Sequence, residues 1–167
     1  SKSNPKALNI EELLYSATLT KDAAEQESIY NKATQFFPND SRAYNNLGLL
    51  SYKKGDLSQA ENYFKKAASI QNAAEPNMNL GLIALNDGDL AAAESYLGKA
   101  TSCEEYGEAY GTLLVRQGKY AQAINAFGGK KCNNLAVAQI CSAKYSDAKA
   151  TLEGVAKKNA ATSYLLA

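Results

Sequence analysis

The chain has 167 residues, of which 18 are basic and 17 are acidic. Because these charges nearly cancel, the composition gives no electrostatic case for a nucleic-acid partner. Alanine and tyrosine are plentiful, proline occurs 3 times, and histidine and tryptophan are absent. This mixture predicts an all-α protein whose helices pack through small residues.

The chain begins with a polar stretch, residues 1–6, which does not look like a secretory signal. No later stretch reaches the roughly 20 consecutive apolar residues of a membrane-spanning helix, so we expect a soluble segment without membrane insertion. A signal can be removed from a mature protein, however. The sequence therefore leaves the location open between the cytoplasm and the periplasm or envelope.

An internal repeat dominates the chain from residue 41 to residue 100. Four pairs of small residues are each separated by 33 positions: Gly48 and Gly81, Gly55 and Gly88, Ala60 and Ala93, and Ala67 and Ala100. A period of this length predicts stacked helical units. An earlier copy fits residues 7–40, and two shorter copies follow at intervals of 30 and 25 residues.

These copies predict one continuous domain of about five units followed by a terminal helix. The unit limits are about 7–40, 41–73, 74–103, 104–128 and 129–157, with a partial unit at 158–167. The shorter later units predict trimmed second helices and a tight return of the chain at residues 128–131.

Each unit is predicted to contain two amphipathic helices joined by a short turn. Tyr44, Leu47 and Ser51 recur at three- and four-residue spacing, which places them on one face of the first helix. In the turn, Gly55 is suited to the left-handed conformation that ends a helix. Either Asp56 or Ser58 can then cap the second helix.

Gly48 is expected to lie where two helices approach closely. A glycine inside a helix costs about 1 kcal/mol relative to alanine, so its return as Gly81 and Gly111 predicts a packing reason. We expect these glycines to face the small residues Ala60, Ala93 and Ala123 of the second helices.

The pattern of aromatic, Leu-Gly, alanine and aromatic residues across 41–100 resembles the tetratricopeptide repeat (TPR) family. The resemblance implies a right-handed superhelical solenoid of stacked antiparallel helix pairs. It is weaker after residue 128, where Ala143 stands in place of the turn glycine. The shortened units and the ending Tyr164–Ala167 are similar to the TPR segments of larger bacterial envelope proteins.

The same resemblance implies a site, because TPR first helices line a groove that binds partner segments. Carrying the family's groove positions over to this chain gives a candidate partner-binding set: Arg42, Asn45, Asn46, Leu49, Lys53, Asn79, Leu82, Asn86, Glu108, Thr112 and Arg116. Asn46 and Asn79 either hold a peptide backbone or are simply common at that place in the unit. Leu49, Leu82 and Leu85 either form apolar pockets or, as we expect, belong to the core between units.

One activity known in the family is not expected here. Chaperone-tail receptors hold a C-terminal carboxylate with lysine, asparagine and arginine side chains. The corresponding places in this chain are Glu11, Tyr15, Asn46, Glu75 and Asn79. Only Asn46 matches, and two acidic side chains would repel a carboxylate.

The function that the resemblance implies is a non-catalytic scaffold that binds a protein or peptide, with no cofactor. The absence of histidine, of a phosphate-binding loop and of a nucleophile elbow argues against an enzyme. The alternative is a structural spacer or self-association module of a larger multidomain envelope protein. The apolar end, Tyr164–Leu166, has no partner helix in the chain, so we expect the natural protein to continue or this helix to pair with another chain.

The three cysteines are predicted to be free thiols that act as small apolar residues. If Cys132 and Cys141 share one helix, they are about 13 Å apart, since each residue adds 1.5 Å of rise. A disulfide needs Cα atoms within roughly 7 Å. No metal site is expected, because the chain has no histidine and no closely spaced cysteine pair.

Overall fold

The computed structural model describes the backbone of residues 9–166 and the side chains of residues 9–159. Over that range the backbone forms ten α-helices and no strand. In chain order the helices are α1 Ile10–Leu19, α2 Ala23–Phe36, α3 Ser41–Lys53, α4 Leu57–Ile70, α5 Ala74–Asp87, α6 Leu90–Leu97, α7 Tyr106–Arg116, α8 Tyr120–Phe127, α9 Asn133–Cys141 and α10 Tyr145–Leu166. Consecutive helices pack against each other in pairs, which confirms the predicted all-α, TPR-like fold class.

The chain divides into two compact units, Ser1–Ile83 and Ala84–Ala167, with the boundary inside α5. They are called unit 1 and unit 2 below. Unit 1 contains α1 to α4 and the first part of α5, and unit 2 contains the remainder. The single continuous domain expected from the repeat stays a prediction.

The core of unit 1 alternates large and small side chains between helices. Tyr30 of α2 packs with Ala17, Leu47 and Leu50 in one cluster, and each of these side chains is buried. A second cluster joins α1, α2 and α3 through Leu13, Ala33 and Ala43. The small alanines let the helix axes come close, as the composition predicts.

Helix starts are fixed by side-chain oxygens that accept hydrogen bonds from free amides of the first turn. The capping residues are Asn9 for α1, Asp22 for α2, Asp40 for α3, Asp56 for α4 and Asp89 for α6. For α4 the sequence left a choice between Asp56 and Ser58. The structure selects Asp56, whose carboxylate accepts from the amide of Gln59 at 3.0 Å.

One type of turn closes α3, α5, α7 and α9. In each, an amide N–H just past the helix bonds to a carbonyl five residues earlier: Asp56 to Ser51, Asp89 to Ala84, Lys119 to Leu114 and Lys144 to Gln139. This is the bond of a Schellman cap, which needs a left-handed residue before the donor. Gly55, Gly88 and Gly118 supply it in three turns, and Ala143 adopts φ 58° in the fourth.

The repeated glycines of the first helices contact a different residue of the second helix from the one expected. A Cβ built on Gly48 would lie 2.5 Å from the ring of Phe64, and one on Gly111 would lie 2.7 Å from the ring of Phe127. The nearest neighbours are therefore these rings and not the expected Ala60 and Ala123. A large ring fills the space left by each glycine, four residues further along the second helix.

Unit 2 has its own core around α7, α8 and α9. Leu114, Ala123, Phe127, Leu135 and Ala138 form a buried cluster there. The second helices α6 and α8 have only 8 residues each, compared with 14 in α4. After α8 the chain returns through two left-handed glycines, Gly128 and Gly129, as the sequence predicts for this shortened unit.

The end of the chain differs from the predicted partial unit at 158–167. Helix α10 runs without a break from Tyr145 to Leu166, so residues 158–166 continue the second helix of the last pair. The physical reason is the absence of a glycine or proline after Gly154, in a stretch rich in alanine and lysine. The side chains of Tyr164 to Leu166, on which the expected terminal pairing depends, lie outside the described residues.

Candidate functional site

Unit 1 has a cavity of about 400 Å³ at the N-terminal ends of α1, α3 and α5. Three members of the candidate set, Arg42, Asn45 and Asn46, line it from α3. The remaining walls are Leu14 of α1, Ser41 of α3, the α4–α5 connection at Gln71 and Ala73, and the first turn of α5 at Glu75 and Pro76. The structure thus brings together side chains from three first helices.

The guanidinium of Arg42 is held by two carboxylates. Its Nε and Nη2 atoms donate to Asp40 at 3.1 and 2.7 Å, and Nη2 also donates to Glu11 of α1 at 2.8 Å. The hydrogen bond from Arg42 lowers the pKa of Asp40 below its usual range. In return, the hydrogen bonds to the two carboxylates raise the pKa of the guanidinium, and the bond to Asp40 contributes more than the bond to Glu11. Arg42 therefore joins α1 to α3.

Two asparagines join α3 to α5. The Nδ2 atom of Asn79 donates to Oδ1 of Asn45 at 3.0 Å. Leu82 lies about one turn beyond Asn79 on α5, and Leu49 lies about one turn beyond Asn45 on α3. The amide of Asn46, which lines the cavity, has no hydrogen-bond partner among the residues that the structure describes. It keeps a donor and an acceptor for another molecule.

The three leucines that were expected either to form pockets or to belong to the core differ in their exposure. Leu49 and Leu82 are 37% and 44% exposed, so the expectation that they belong to the core is wrong. Leu85, at 4% exposed, is a core residue as expected. Tyr52 of α3 is also exposed and follows Leu49 by three positions. The first helices of unit 1 therefore present apolar side chains beyond the cavity.

We call this combined area the unit-1 surface. It consists of Leu14, Arg42, Asn45, Asn46, Leu49, Tyr52, Glu75, Asn79 and Leu82. Lys53 is exposed at the C-terminal end of α3, next to this surface.

The candidate residues of unit 2 are mostly engaged in internal contacts. Glu108 binds Lys130 at 2.8 Å, and this contact raises the pKa of the lysine. Thr112 accepts from Nδ2 of Asn134 at 3.0 Å. Arg116 donates to the carbonyl of Leu85 in the last turn of α5, a place where a cation is favourable. Asn86, in the same last turn, is exposed.

A second cavity, of about 450 Å³, lies in unit 2 between α7 and α8. Its walls include the rings of Tyr106 and Tyr110, which stack with centroids 5.3 Å apart. Burial raises the pKa of Tyr106. Gly107 lets the two helices approach, because a Cβ there would lie 2.8 Å from the carbonyl oxygen of Ala126.

A family model for the tetratricopeptide repeat matches residues 41–73 and 74–105 of the chain. These two adjacent matches contain α3 to α6, which have the helix pairing and the glycine turns described above. Residues 41–105 carry two TPR repeats. Such repeats generally mediate protein–protein interactions, and the family generally serves as a non-catalytic scaffold. No curated protein sequence shows significant similarity to the chain.

The TPR groove positions identify part of the unit-1 surface and miss another part. They point to α3 and α5, and they include Glu75. They cannot point to Gln71 and Ala73, which lie in the connection between two units. Leu14 is one position away from the groove position at Tyr15 and turns its side chain into the cavity. Nothing in the periodicity of α1 distinguishes these two neighbours.

The three cysteines form no disulfide in the described part of the chain, and Cys103 and Cys132 are half-buried while Cys141 is exposed. The thiol of Cys141 lies beside the hydroxyl of Tyr120 and raises the pKa of that tyrosine. Cys141 is therefore a surface thiol and does not pack in the core. Among the described residues no group of three or more acidic or cysteine side chains could hold a metal ion. No helix in the described part of the chain combines the length and apolar character needed to cross a membrane.

Proposed function

We propose that the chain is a non-catalytic scaffold that binds an extended peptide, or an extended segment of a partner protein, along the unit-1 surface. Its partner is a protein, and no cofactor takes part. The proposal depends on the TPR repeats for the class of function and on the geometry of α1, α3 and α5 for the place.

The observation that carries the proposal is the amide of Asn46 in the cavity. A half-buried amide without an internal partner has both a donor and an acceptor to offer. An extended peptide backbone needs this pair of groups at one residue in every two. Asn79 is close by, and its bond to Asn45 holds its side chain in a defined orientation.

The exposed leucines support the same proposal. Leu49 and Leu82 are exposed, and each lies about one helical turn beyond one of the two bonded asparagines. Apolar side chains of a bound segment can cover them, and burial of a leucine contributes about 1.5–3 kcal/mol. Polar amides beside an apolar area are typical of peptide-binding sites, since the amides orient the chain and the apolar area contributes affinity.

The proposal can be tested with peptides selected on the full chain from a random dodecapeptide display library. Asn46→Ala and Leu82→Ala should each weaken the selected peptides by about three- to tenfold, because each removes one hydrogen-bonding group or one apolar contact. Matched controls are Asn62→Ala and Leu57→Ala on α4, which change the same residue types away from the cavity.

The controls should bind as tightly as the parent chain. A spacer or self-association module, the alternative function, predicts that no peptide is enriched at this surface. The proposal would be overturned if the selected peptides bound equally well to the parent chain and to both cavity-side variants. Thermal unfolding of each variant separates lost binding from lost folding.

A further inference from the structure

The charges around the unit-1 cavity are unequal. Among the residues that the structure describes, Arg42 supplies one positive charge, and Asp40, Glu11 and Glu75 supply three negative charges. Two of these carboxylates are already bound to the guanidinium. The carboxylate of Glu75, which lines the cavity, has no hydrogen bond or ion pair within the described part of the chain.

The guanidinium of Arg42 is largely neutralised by two carboxylates. It forms a two-point contact with Asp40 and a third contact with Glu11, so most of its donors are in use. An incoming carboxylate or phosphate would find only the Nη1 donors unused, beside a guanidinium that already binds two carboxylates, and would meet Glu75 as a like charge. The cavity therefore disfavours anions, although it contains an arginine.

We propose that the segment bound at the unit-1 surface is cationic, with a lysine or arginine side chain in the cavity against Glu75. The inference depends on the proposed function and names the chemistry of its partner. A basic side chain has an apolar stem as well as a charged end. The stem can lie against Leu14 and Pro76, which are also cavity walls, while the charged end meets Glu75.

The distance between the cavity and the exposed leucines predicts the spacing between basic and apolar residues in the bound segment. The cavity is at the N-terminal ends of the first helices, and the leucines lie one to two turns towards their C-terminal ends. One turn of helix advances 5.4 Å, and one extended residue spans about 3.3 Å. The basic residue of the partner should therefore stand about two to four positions from an apolar residue.

The test uses the composition of the selected dodecapeptides and two changes at one position. Peptides that compete for the unit-1 surface should be enriched in lysine or arginine near an apolar residue. For the tightest of them, Glu75→Gln should weaken binding by about threefold, and Glu75→Lys by about tenfold or more. Glu61→Gln on α4, which removes a carboxylate paired with Lys65, is the matched control and should leave binding unchanged.

A synthetic version of the same peptide, with each basic residue replaced by glutamate, completes the experiment. It should lose binding to the parent chain and recover part of it with the Glu75→Lys variant. Some selected peptides could lose affinity for the Asn46→Ala and Leu82→Ala variants and yet carry no basic residue, or bind the Glu75 variants as tightly as the parent chain. Either result would overturn the cationic partner and leave the proposed function standing. Peptides that ignore all four changes, or a library without enrichment, would overturn the proposed function itself.

Discussion

Gly48 and Phe64 share one small space between α3 and α4. The ring of Phe64 is 1% exposed and lies where a side chain at position 48 would have to go. The same pair recurs in unit 2 as Gly111 and Phe127, which is 3% exposed. A glycine that costs stability in an isolated helix is thus required by a neighbouring ring.

Replacing Gly48 by alanine tests this packing. Alanine gains about 1 kcal/mol in helix propensity, but overpacking against a buried ring costs more. With an overpacking cost of about 2–3 kcal/mol, we expect Gly48→Ala to lower the free energy of unfolding by about 1–2 kcal/mol, measured by urea denaturation. The matched background is Phe64→Leu, since leucine stands at the equivalent position 97 of the next repeat.

In the Phe64→Leu background the same glycine change should cost at least about 1 kcal/mol less, because the smaller side chain leaves room for a Cβ. An equal cost in both backgrounds would contradict the contact. The sequence predicts that the glycine faces a second helix, but it does not predict which residue it faces. Ala60 and Phe64 are one helical turn apart on the same face, and only the offset between the two helices decides between them.

At the scale of elements, the turn after α9 keeps the geometry of the other turns with a less suitable residue. Ala143 has φ 58°, and the amide of Lys144 still reaches the carbonyl of Gln139 at 2.8 Å. A left-handed conformation costs a residue with a Cβ about 1–2 kcal/mol. The remainder of the last unit therefore holds Ala143 in place.

Ala143→Gly should consequently stabilise the protein by about 0.5–1 kcal/mol, since glycine relieves the strain but adds freedom to the unfolded chain. The opposite change, Gly118→Ala, is its control: no atom lies within 4 Å of the added Cβ, so only the backbone strain at φ 75° acts. It should destabilise by about 1 kcal/mol. Chemical denaturation of both variants measures these effects, and a destabilised Ala143→Gly variant would show that the strain argument is incorrect.

The helix boundaries show where sequence patterns are informative. Glycine followed by aspartate predicts the turns after α3 and α5, because both residues have a defined role in ending one helix and starting the next. The repeat predicts a unit limit near residue 157, whereas α10 continues through it to Leu166. No residue near position 158 stops a helix, and local propensity continues it.

At the scale of the whole molecule, the repeat period predicts the helix pairs but not the unit-1 cavity. Small residues at a regular interval are enough to predict stacked pairs, since each pair needs a neighbour to bury its apolar face. The cavity depends on the α4–α5 connection and on ion pairs from Arg42 to two carboxylates. Such contacts join residues that are distant in sequence and follow no period.

The repeat period also does not predict which charged side chains of the site are already paired. Arg42 is in the candidate partner-binding set, and Asp40 and Glu11 already engage its Nε and Nη2 donors. Arg116 is in the same set, and it binds the end of α5. The family's groove positions predict which side chains lie near a groove. They do not predict which of these side chains already form internal contacts.

Binding at the unit-1 surface is tested most directly by titrating the isotope-labelled full chain with the tightest selected peptide. The titration is followed through the chemical shifts of backbone and side-chain amides. We expect the large shifts to fall on α1, α3 and the first part of α5, with the side-chain amide of Asn46 among them. Shifts that fall instead on α2 and α4, or that are absent from Asn46 at saturation, would contradict binding at the unit-1 surface.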